Sequence, residues 1–204
     1  GWRSYDMWNG YYTWISNVNY ILAEEETMSG SETEKNYVLG QAYAVRAYSY
    51  FMLAQMFSRT YKGHESEPCV PLYTEPTDIA TEGKGRATVE EVYQQITSDL
   101  DKAITMLGNS GKRKHISHIN EAVASGIKAR VALVMEDWQT ALDAANAAIS
   151  KSGCSIGTGT AVTGGMNDAT ANNVMWAAEI IADQSGMYAG CYTKETIHLK
   201  GIGA

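Results

Sequence analysis

The sequence lacks the features that define several protein classes. It has 16 Lys and Arg against 23 Asp and Glu, a formal net charge of −7, so a broad basic face for nucleic acid is missing. No apolar run approaches the roughly 20 residues that cross a bilayer, and no basic start with an apolar core marks a signal peptide. We therefore expect no nucleic-acid partner and no membrane span. Since an initiator Met is also missing, we expect a processed product or a fragment.

Cysteine is scarce as well. Cys69, Cys154 and Cys191 are odd in number and form no Cys-x-x-Cys pair, so they predict neither a disulfide framework nor a zinc site. Free thiols of this kind are most often small buried residues. A Cys154–Cys191 bridge, compatible with an oxidising compartment, remains an alternative.

Motifs of catalysis are absent too. The sequence has no Gly-x-Ser-x-Gly, no His-Glu-x-x-His and no Gly-Lys-Ser/Thr phosphate loop. One histidine pair, His115 and His118, has a spacing that could place two imidazoles together, but the preceding Lys112, Arg113 and Lys114 would repel a cation. We therefore predict a protein that is not an enzyme and has no cofactor and no metal site.

Aromatic and glycine residues divide the chain. Fifteen of the 20 Trp, Tyr and Phe residues lie within the first 73 positions, whereas nine of the 19 glycines lie beyond residue 150. The change of character predicts a helical domain over 1–151 and an irregular, Gly-rich segment over 152–204.

Apolar residues of the first part repeat at helical spacing. The pattern predicts an all-α domain of about five helices, over approximately 5–26, 34–58, 88–108, 120–135 and 138–151. Thr88 and Glu91 form a capping box, and Gly108 is expected to end that helix in a left-handed conformation. A long irregular loop with three prolines is expected over 60–87. A loop of this length in a compact domain usually has a function or is partly ordered by packing.

The last two helices are expected to form an antiparallel hairpin, because only a short turn separates them. Asn120 and Asp137 are the expected N-caps. The hairpin resembles a tetratricopeptide repeat, although the earlier helices do not keep the strict period of a regular array.

Several residues at helical spacing are expected to belong to the core. Arg46, the only charged residue between Asn36 and Ser58, must be paired if it is buried. Trp138 is also expected to pack. The aromatics placed in the core are Trp8, Tyr11, Trp14, Tyr43, Tyr48, Phe51 and Tyr93.

Short blocks of sequence, in order, are similar to one protein family. They are Trp8 through Asn19-Tyr20-Ile21; Gly40-Gln41-Ala42 with Arg46-Ala47 and Tyr50-Phe51; Val70-Pro71-Leu72; Arg86 to Tyr93; Asp99-Leu100 with Ala103 and Leu107; Ala122 with Ala129-Arg130-Val131 and Leu133; Asp137-Trp138 with Ala141; and Asn172-Asn173 before Glu179-Ile180. Together they resemble the SusD/RagB-like outer-membrane nutrient-binding proteins of Bacteroidetes.

This resemblance implies both a fold and a function. The implied fold is a scaffold of tetratricopeptide-like hairpins, and the implied function is capture of glycans, or sometimes peptides, for a SusC-like TonB-dependent transporter. A lipid anchor in the outer leaflet is implied as well, on a cysteine that this chain does not include, together with a large C-terminal part that is nearly all missing here. Two alternatives are a helical adaptor that binds another protein and, less favoured, an α-helical glycoside hydrolase.

Sugar recognition needs aromatic plates and planar polar groups, which directs attention to aromatics outside the helical stripes. The best cluster is Trp2, Arg3, Tyr5 and Asp6, since the resemblance implies a ligand contact just ahead of the first helix. The alternative is that these rings only fold back on the helical scaffold and contact no sugar. The aromatics outside the stripes are Trp2, Tyr5, Tyr61, Tyr73, Trp176, Tyr188 and Tyr192, of which Tyr61 and Tyr73 join the candidate ligand site.

Overall fold

In the computed structural model, residues 2–159, 163 and 168–178 are described, with side chains described from Asp6 onward. Helices and two short strands follow one another in this part of the chain. Their bounds are α1 Trp2–Ala23, α2 Glu32–Phe57, β1 Pro68–Pro71, β2 Arg86–Thr88, α3 Val89–Gly108, α4 Glu121–Met135 and α5 Trp138–Ser152.

Each helix packs against its neighbours along the chain, and the contacts of α3 with α2 are more extensive than those with α4. Helix α2 contacts α1 on one side and α3 on the other, with further contacts to α4 and β1. Twelve of its 26 residues are buried, which explains its almost uniformly apolar sequence. The all-α architecture with helical hairpins is confirmed. None of the described helices is both long and apolar enough to cross a bilayer.

Helix starts follow the sequence signals. Thr88 and Glu91 form the expected capping box, and Asn120 and Asp137 cap α4 and α5. Ser31 and Glu34 form a second capping box at the start of α2. Side-chain oxygens thereby satisfy backbone N–H groups that have no partner inside the helix.

The expected left-handed end at Gly108 is wrong. Gly108 is the last residue of α3, and the following Asn109 has a φ of −98° and donates its N–H to the carbonyl of Met106 at 3.0 Å. A tightened last turn of 3₁₀ type therefore ends this helix. Left-handed conformations occur instead at Glu136 and Gly153, with φ of 60° and 68°.

The loop over 60–87 is less irregular than expected. Its two ends pair as β1 and β2 in an antiparallel ribbon, with Pro68 opposite Thr88 and Pro71 opposite Arg86. Cys69 and Val70 are fully buried, and β1 contacts both α2 and α3. Proline is uncommon inside a strand because its nitrogen cannot donate a hydrogen bond, but burial of Cys69 and Val70 between the two prolines holds β1 in place.

The predicted core is confirmed in part. Tyr11, Tyr43, Phe51 and Tyr93 are buried, and Trp8 and Tyr48 pack against the core while partly exposed. Trp14 is 49% exposed, so its placement in the core was wrong. The ring packs perpendicular to that of Tyr11, with centroids 5.4 Å apart, while about half of the residue stays open to solvent.

Helix α5 presents an apolar stripe to solvent. Its buried contacts with α4 come from Ala141, Ala144 and Ala148. Trp138, Leu142 and Ile149 lie 56–71% exposed on another face, so the expected packing of Trp138 was wrong. Small alanines let the two helices approach closely, and the large side chains are thereby left outside the contact.

Candidate functional site

A buried ion pair lies at the centre of the helical unit. Arg46 on α2 donates from Nε and Nη2 to the two carboxylate oxygens of Asp99 on α3, each at 2.7 Å. Both residues are at least 95% buried, and Gln95 donates to Asp99 at 2.8 Å. Burial raises the pKa of the Asp99 carboxyl, and the bonds from Arg46 and Gln95 oppose that rise. The expected pairing of Arg46 is confirmed.

The same guanidinium reaches the loop between the strands. Its Nη1 donates to the side-chain oxygen of Asn19 on α1 at 2.9 Å and to the carbonyl of Thr74 at 3.1 Å. The Asn19 amide then donates to the carbonyls of Tyr73 at 3.0 Å and Glu75 at 3.1 Å. One buried network therefore holds three successive loop carbonyls.

Tyrosine hydroxyls hold further carbonyls of this loop. Tyr12 donates to Pro71 at 2.7 Å, and Tyr20 donates to Thr77 at 2.7 Å. Tyr50 donates to the carbonyl of Tyr73 at 2.8 Å and accepts from its N–H at 2.7 Å. Burial raises the pKa of Tyr12 and of Tyr50, so both hydroxyls keep the protons that they donate. These bonds hold the loop through its backbone and do not involve its side chains.

A groove of about 280 Å³, the α1 groove, opens between α1 and this fixed loop. On the helix side, the lining residues recur every three or four positions, which places them on one face of α1. The lining residues are Tyr12, Ile15, Ser16, Asn19, Tyr73, Thr77, Asp78 and Thr81.

A tight turn forms the outer wall of the α1 groove. The Asp78 N–H donates to Thr81 Oγ1 at 2.8 Å, and Asp78 Oδ1 accepts from the Ala80 N–H at 2.9 Å and the Thr81 hydroxyl at 3.0 Å. Within the described residues, Asp78 Oδ2 accepts no hydrogen bond. The turn therefore holds a carboxylate with one oxygen available to a donor in the groove.

The ring of Tyr73 forms the aromatic part of the groove. It packs edge-on against the Tyr12 ring, with centroids 6.3 Å apart, and its hydroxyl accepts from the Lys84 N–H at 2.9 Å. A rigid ring beside hydroxyls, an amide and a carboxylate can stack on an apolar face while pairing with ligand hydroxyl groups.

The other predicted ligand residues lie elsewhere or are not described. Tyr61 packs on Tyr93, with centroids 5.0 Å apart, and its hydroxyl is hydrogen-bonded to Glu90. Burial and that carboxylate raise the pKa of Tyr61 to about 12. Tyr61 does not line the α1 groove, and its role as a sugar contact stays a prediction. Trp176 donates from Nε1 to the carbonyl of Ser117 at 2.8 Å.

The cluster at the start of the chain requires a correction. Helix α1 begins at Trp2, so residues 2–6 form the first turn of the helix and do not precede it. The side chains of Trp2, Arg3 and Tyr5 lie outside the described residues, and Asp6 is exposed. Tyr188, Tyr192 and Cys191 also lie outside the described part of the chain.

Sequence reasoning missed most of the α1 groove. Ser16 and Asn19 lie on α1 and were not among the predicted ligand residues, and Thr77, Asp78 and Thr81 belong to the loop that was expected to be irregular. The Asp78-x-x-Thr81 spacing is a usable signal, because Asp side chains commonly bond backbone groups two and three residues on.

One thiol and one histidine form hydrogen bonds between distant parts of the described chain. Cys69 is a buried free thiol that donates to the Ser58 hydroxyl at 3.3 Å, and Cys154 is also free. His118 shares a hydrogen bond with the Tyr37 hydroxyl at 2.5 Å. Among the described residues, no three His, Cys, Asp or Glu side chains are grouped as metal ligands.

Comparison with known proteins gives consistent matches. Residues 3–133 match the SusD-like family, described as starch-binding and associating with the outer membrane. No curated protein sequence matches the chain.

Solved structures match over most of this chain. A SusD-like carbohydrate-binding protein of Bacteroides vulgatus is 28% identical, with a TM-score of 0.81 over 87% of this chain and 37% of its own. A SusD superfamily protein of Bacteroides thetaiotaomicron is 24% identical, with a TM-score of 0.79 over 88% of this chain and 39% of its own. A laminarin-binding SusD-like protein is 24% identical, with a TM-score of 0.60 over 72% of this chain and 30% of its own. The chain thus spans less than two fifths of these proteins.

Proposed function

The chain belongs to the SusD-like family, and on that premise we propose that it is the helical part of a non-catalytic cell-surface protein that captures oligosaccharides. Starch, named for the family, and laminarin, named for one structural relative, are the first glycans to consider. Both are neutral glucans, whose hydroxyl groups and apolar ring faces need polar groups beside an aromatic ring.

The α1 groove is the observation that supports this proposal. Tyr73 provides the ring, Asp78 provides a carboxylate oxygen without a partner among the described residues, and Ser16, Thr77 and Thr81 provide hydroxyls. Because the buried network fixes the loop backbone before a ligand arrives, little ordering entropy is lost on binding. In this proposal Trp2, Arg3, Tyr5 and Asp6, two turns earlier on α1, extend the same surface.

Partner and location follow from the same premise. We propose that the full-length protein is anchored by a lipid in the outer membrane, faces the cell exterior and passes its ligand to a SusC-like TonB-dependent transporter. Family membership supports this proposal.

An adaptor without sugar binding is the second candidate. The observation that favours it is the exposed stripe of Trp138, Leu142 and Ile149 on α5, since exposed apolar patches commonly mark protein contacts. In that case removal of the stripe, and not of the α1 groove, would abolish the function.

The test is calorimetric titration of the chain with starch-derived and laminarin-derived oligosaccharides. Tyr73→Ala removes the ring but keeps the backbone groups that Tyr50 and Asn19 hold, so the fold should survive. We expect about tenfold weaker binding, because ring burial and stacking contribute on the order of 1–2 kcal/mol. Asp78→Asn should also weaken binding.

Trp14→Ala is the matched control, since it removes an exposed ring from α1 that does not line the groove. It should bind as the unchanged chain does. Equal affinity of Tyr73→Ala and the unchanged chain would contradict the proposed groove. A loss confined to a Trp2→Ala/Tyr5→Ala variant would then move the site to the start of α1.

A further inference from the structure

A second groove, apart from the first, is lined by basic residues. It has a volume of about 570 Å³ and lies along the connection between α3 and α4; we call it the basic groove. Its charged lining residues are Lys112, Arg113, Lys114 and Lys151 against Glu121 alone. In a chain with a net charge of −7, this is a local reversal of sign. None of its residues lines the α1 groove.

Two of these cations are already engaged within the protein. Arg113 donates from Nη1 to the carbonyl of Met175 at 2.8 Å, and Lys151 forms an ion pair with Glu121 at 3.1 Å. Glu121 is thereby neutralised. These contacts give the walls of the groove their shape without using the remaining lysines.

Lys112 and Lys114 are the cations that stay available. Both are exposed, and neither forms an ion pair at 4 Å or less with the described residues. Lys114 lies over the Tyr37 ring, with Nζ 5.5 Å from its centroid, and the nearby Glu34 carboxylate is bonded to Ser31. The ring face attracts the ammonium group without neutralising its charge.

The backbone that carries these lysines is fixed. The Lys114 N–H donates to the Tyr37 hydroxyl at 3.2 Å, and the same hydroxyl is bonded to His118 at 2.5 Å. Trp176 holds the carbonyl of Ser117. A fixed loop concentrates the two charges at one place, which a mobile basic segment would not do.

We propose that the basic groove binds the carboxylate or sulfate groups of an acidic saccharide. Lysine ammonium groups recognise either oxyanion as point charges, and the volume falls in the range of small-ligand pockets. The proposal deepens the proposed function, since it takes a saccharide as the ligand. It assigns to the chain a second saccharide site, specific for acidic sugars, whose residues are separate from those of the α1 groove.

The experiment compares two trisaccharides of equal length, one of galacturonate and one of galactose, with sodium sulfate as a third titrant. The galacturonate trisaccharide should bind more tightly, and less so as salt rises, because screening weakens exposed charge contacts. A Lys112→Glu/Lys114→Glu variant should bind it at least about fivefold more weakly. Lys62→Glu is the control, an exposed reversal outside the groove that should change nothing.

Several results would overturn the proposal. They are equal binding of the two trisaccharides, an equal loss in Lys62→Glu, and sulfate ion binding as tightly as the galacturonate trisaccharide. Binding of neutral glucans is read from Tyr73→Ala, which leaves the basic groove intact. If Tyr73→Ala binds neutral glucans as the unchanged chain does, the α1 groove proposal is wrong. The proposal for the basic groove is then still decided by the galacturonate comparison.

Discussion

Removal of Asp99 should be among the most destabilising single changes in this chain. Asp99→Ala deletes both 2.7 Å bonds and leaves the Arg46 guanidinium, 95% buried, without its counter-ion. Breaking a buried pair on one side costs about 3–5 kcal/mol, because the remaining charge stays away from water. The expected loss is therefore a large fraction of the stability of an ordinary domain.

A double variant separates the charge penalty from the structural role of Arg46. Arg46→Met/Asp99→Leu replaces the pair with apolar side chains of similar size, which is often neutral for a core. It also deletes the bonds of Arg46 to Asn19 and to the Thr74 carbonyl, about 1 kcal/mol each. We expect it to lose roughly 1–3 kcal/mol, less than Asp99→Ala alone.

The assay is urea unfolding followed by far-UV circular dichroism, with amide hydrogen exchange of the loop measured alongside. In the double variant the Tyr73 amide, which donates to the Tyr50 hydroxyl, should exchange faster while the amides of α2 and α3 keep their protection. A double variant as unstable as Asp99→Ala would refute the charge argument. Unchanged exchange in the loop would refute the idea that Arg46 holds it.

Two further changes test packing and capping. A Cβ at Gly40 would lie 2.7 Å from Leu107 Cγ, so Gly40→Ala should destabilise the fold by up to about 2 kcal/mol. In Gly10→Ala the new Cβ meets no atom within 4 Å, so this variant should be more stable by about 0.5–1 kcal/mol. Both changes are measured as urea midpoints, and equal shifts would show that α2 and α3 do not touch at Gly40. Hydrogen bonds at the helix caps lower the pKa of Glu34 and of Glu91 below 4.5. Their ionised forms therefore stabilise the fold above that pH, and this stabilisation is lost as the pH falls through the folded-state pKa values. In a Glu34→Gln/Glu91→Gln variant the free energy of unfolding should fall less steeply at acid pH, and an unchanged fall would contradict this prediction.

The five helices, and the starts of α3, α4 and α5, were predictable from sequence. Apolar spacing places Val92, Ile96 and Leu100 on one face, and all three are fully buried in α3. The capping signals at Thr88 and Asn120 depend on contacts three residues apart, so no tertiary information is needed to read them.

Features that depend on distant partners were not predictable. Trp14 and Trp138 have helical spacing, but whether such a ring is covered depends on which other element lies beside it. The β-ribbon depends on residues 15 or more positions apart. The α1 groove depends on hydrogen bonds to backbone carbonyls of the loop. Since every residue has such a carbonyl, no side-chain pattern in the sequence predicts which of them Asn19 and Arg46 bind.

The fixed loop has a consequence for the order of folding. Its carbonyls are held by side chains 23 to 59 positions away, from Tyr50 on α2 to Tyr12 on α1. Contacts of such long sequence separation form only after loop-closure entropy has been overcome. The α1 groove should therefore be completed late, after α1, α2 and α3 have assembled. Ligand binding to the α1 groove would therefore show that α1, α2, α3 and the loop have assembled.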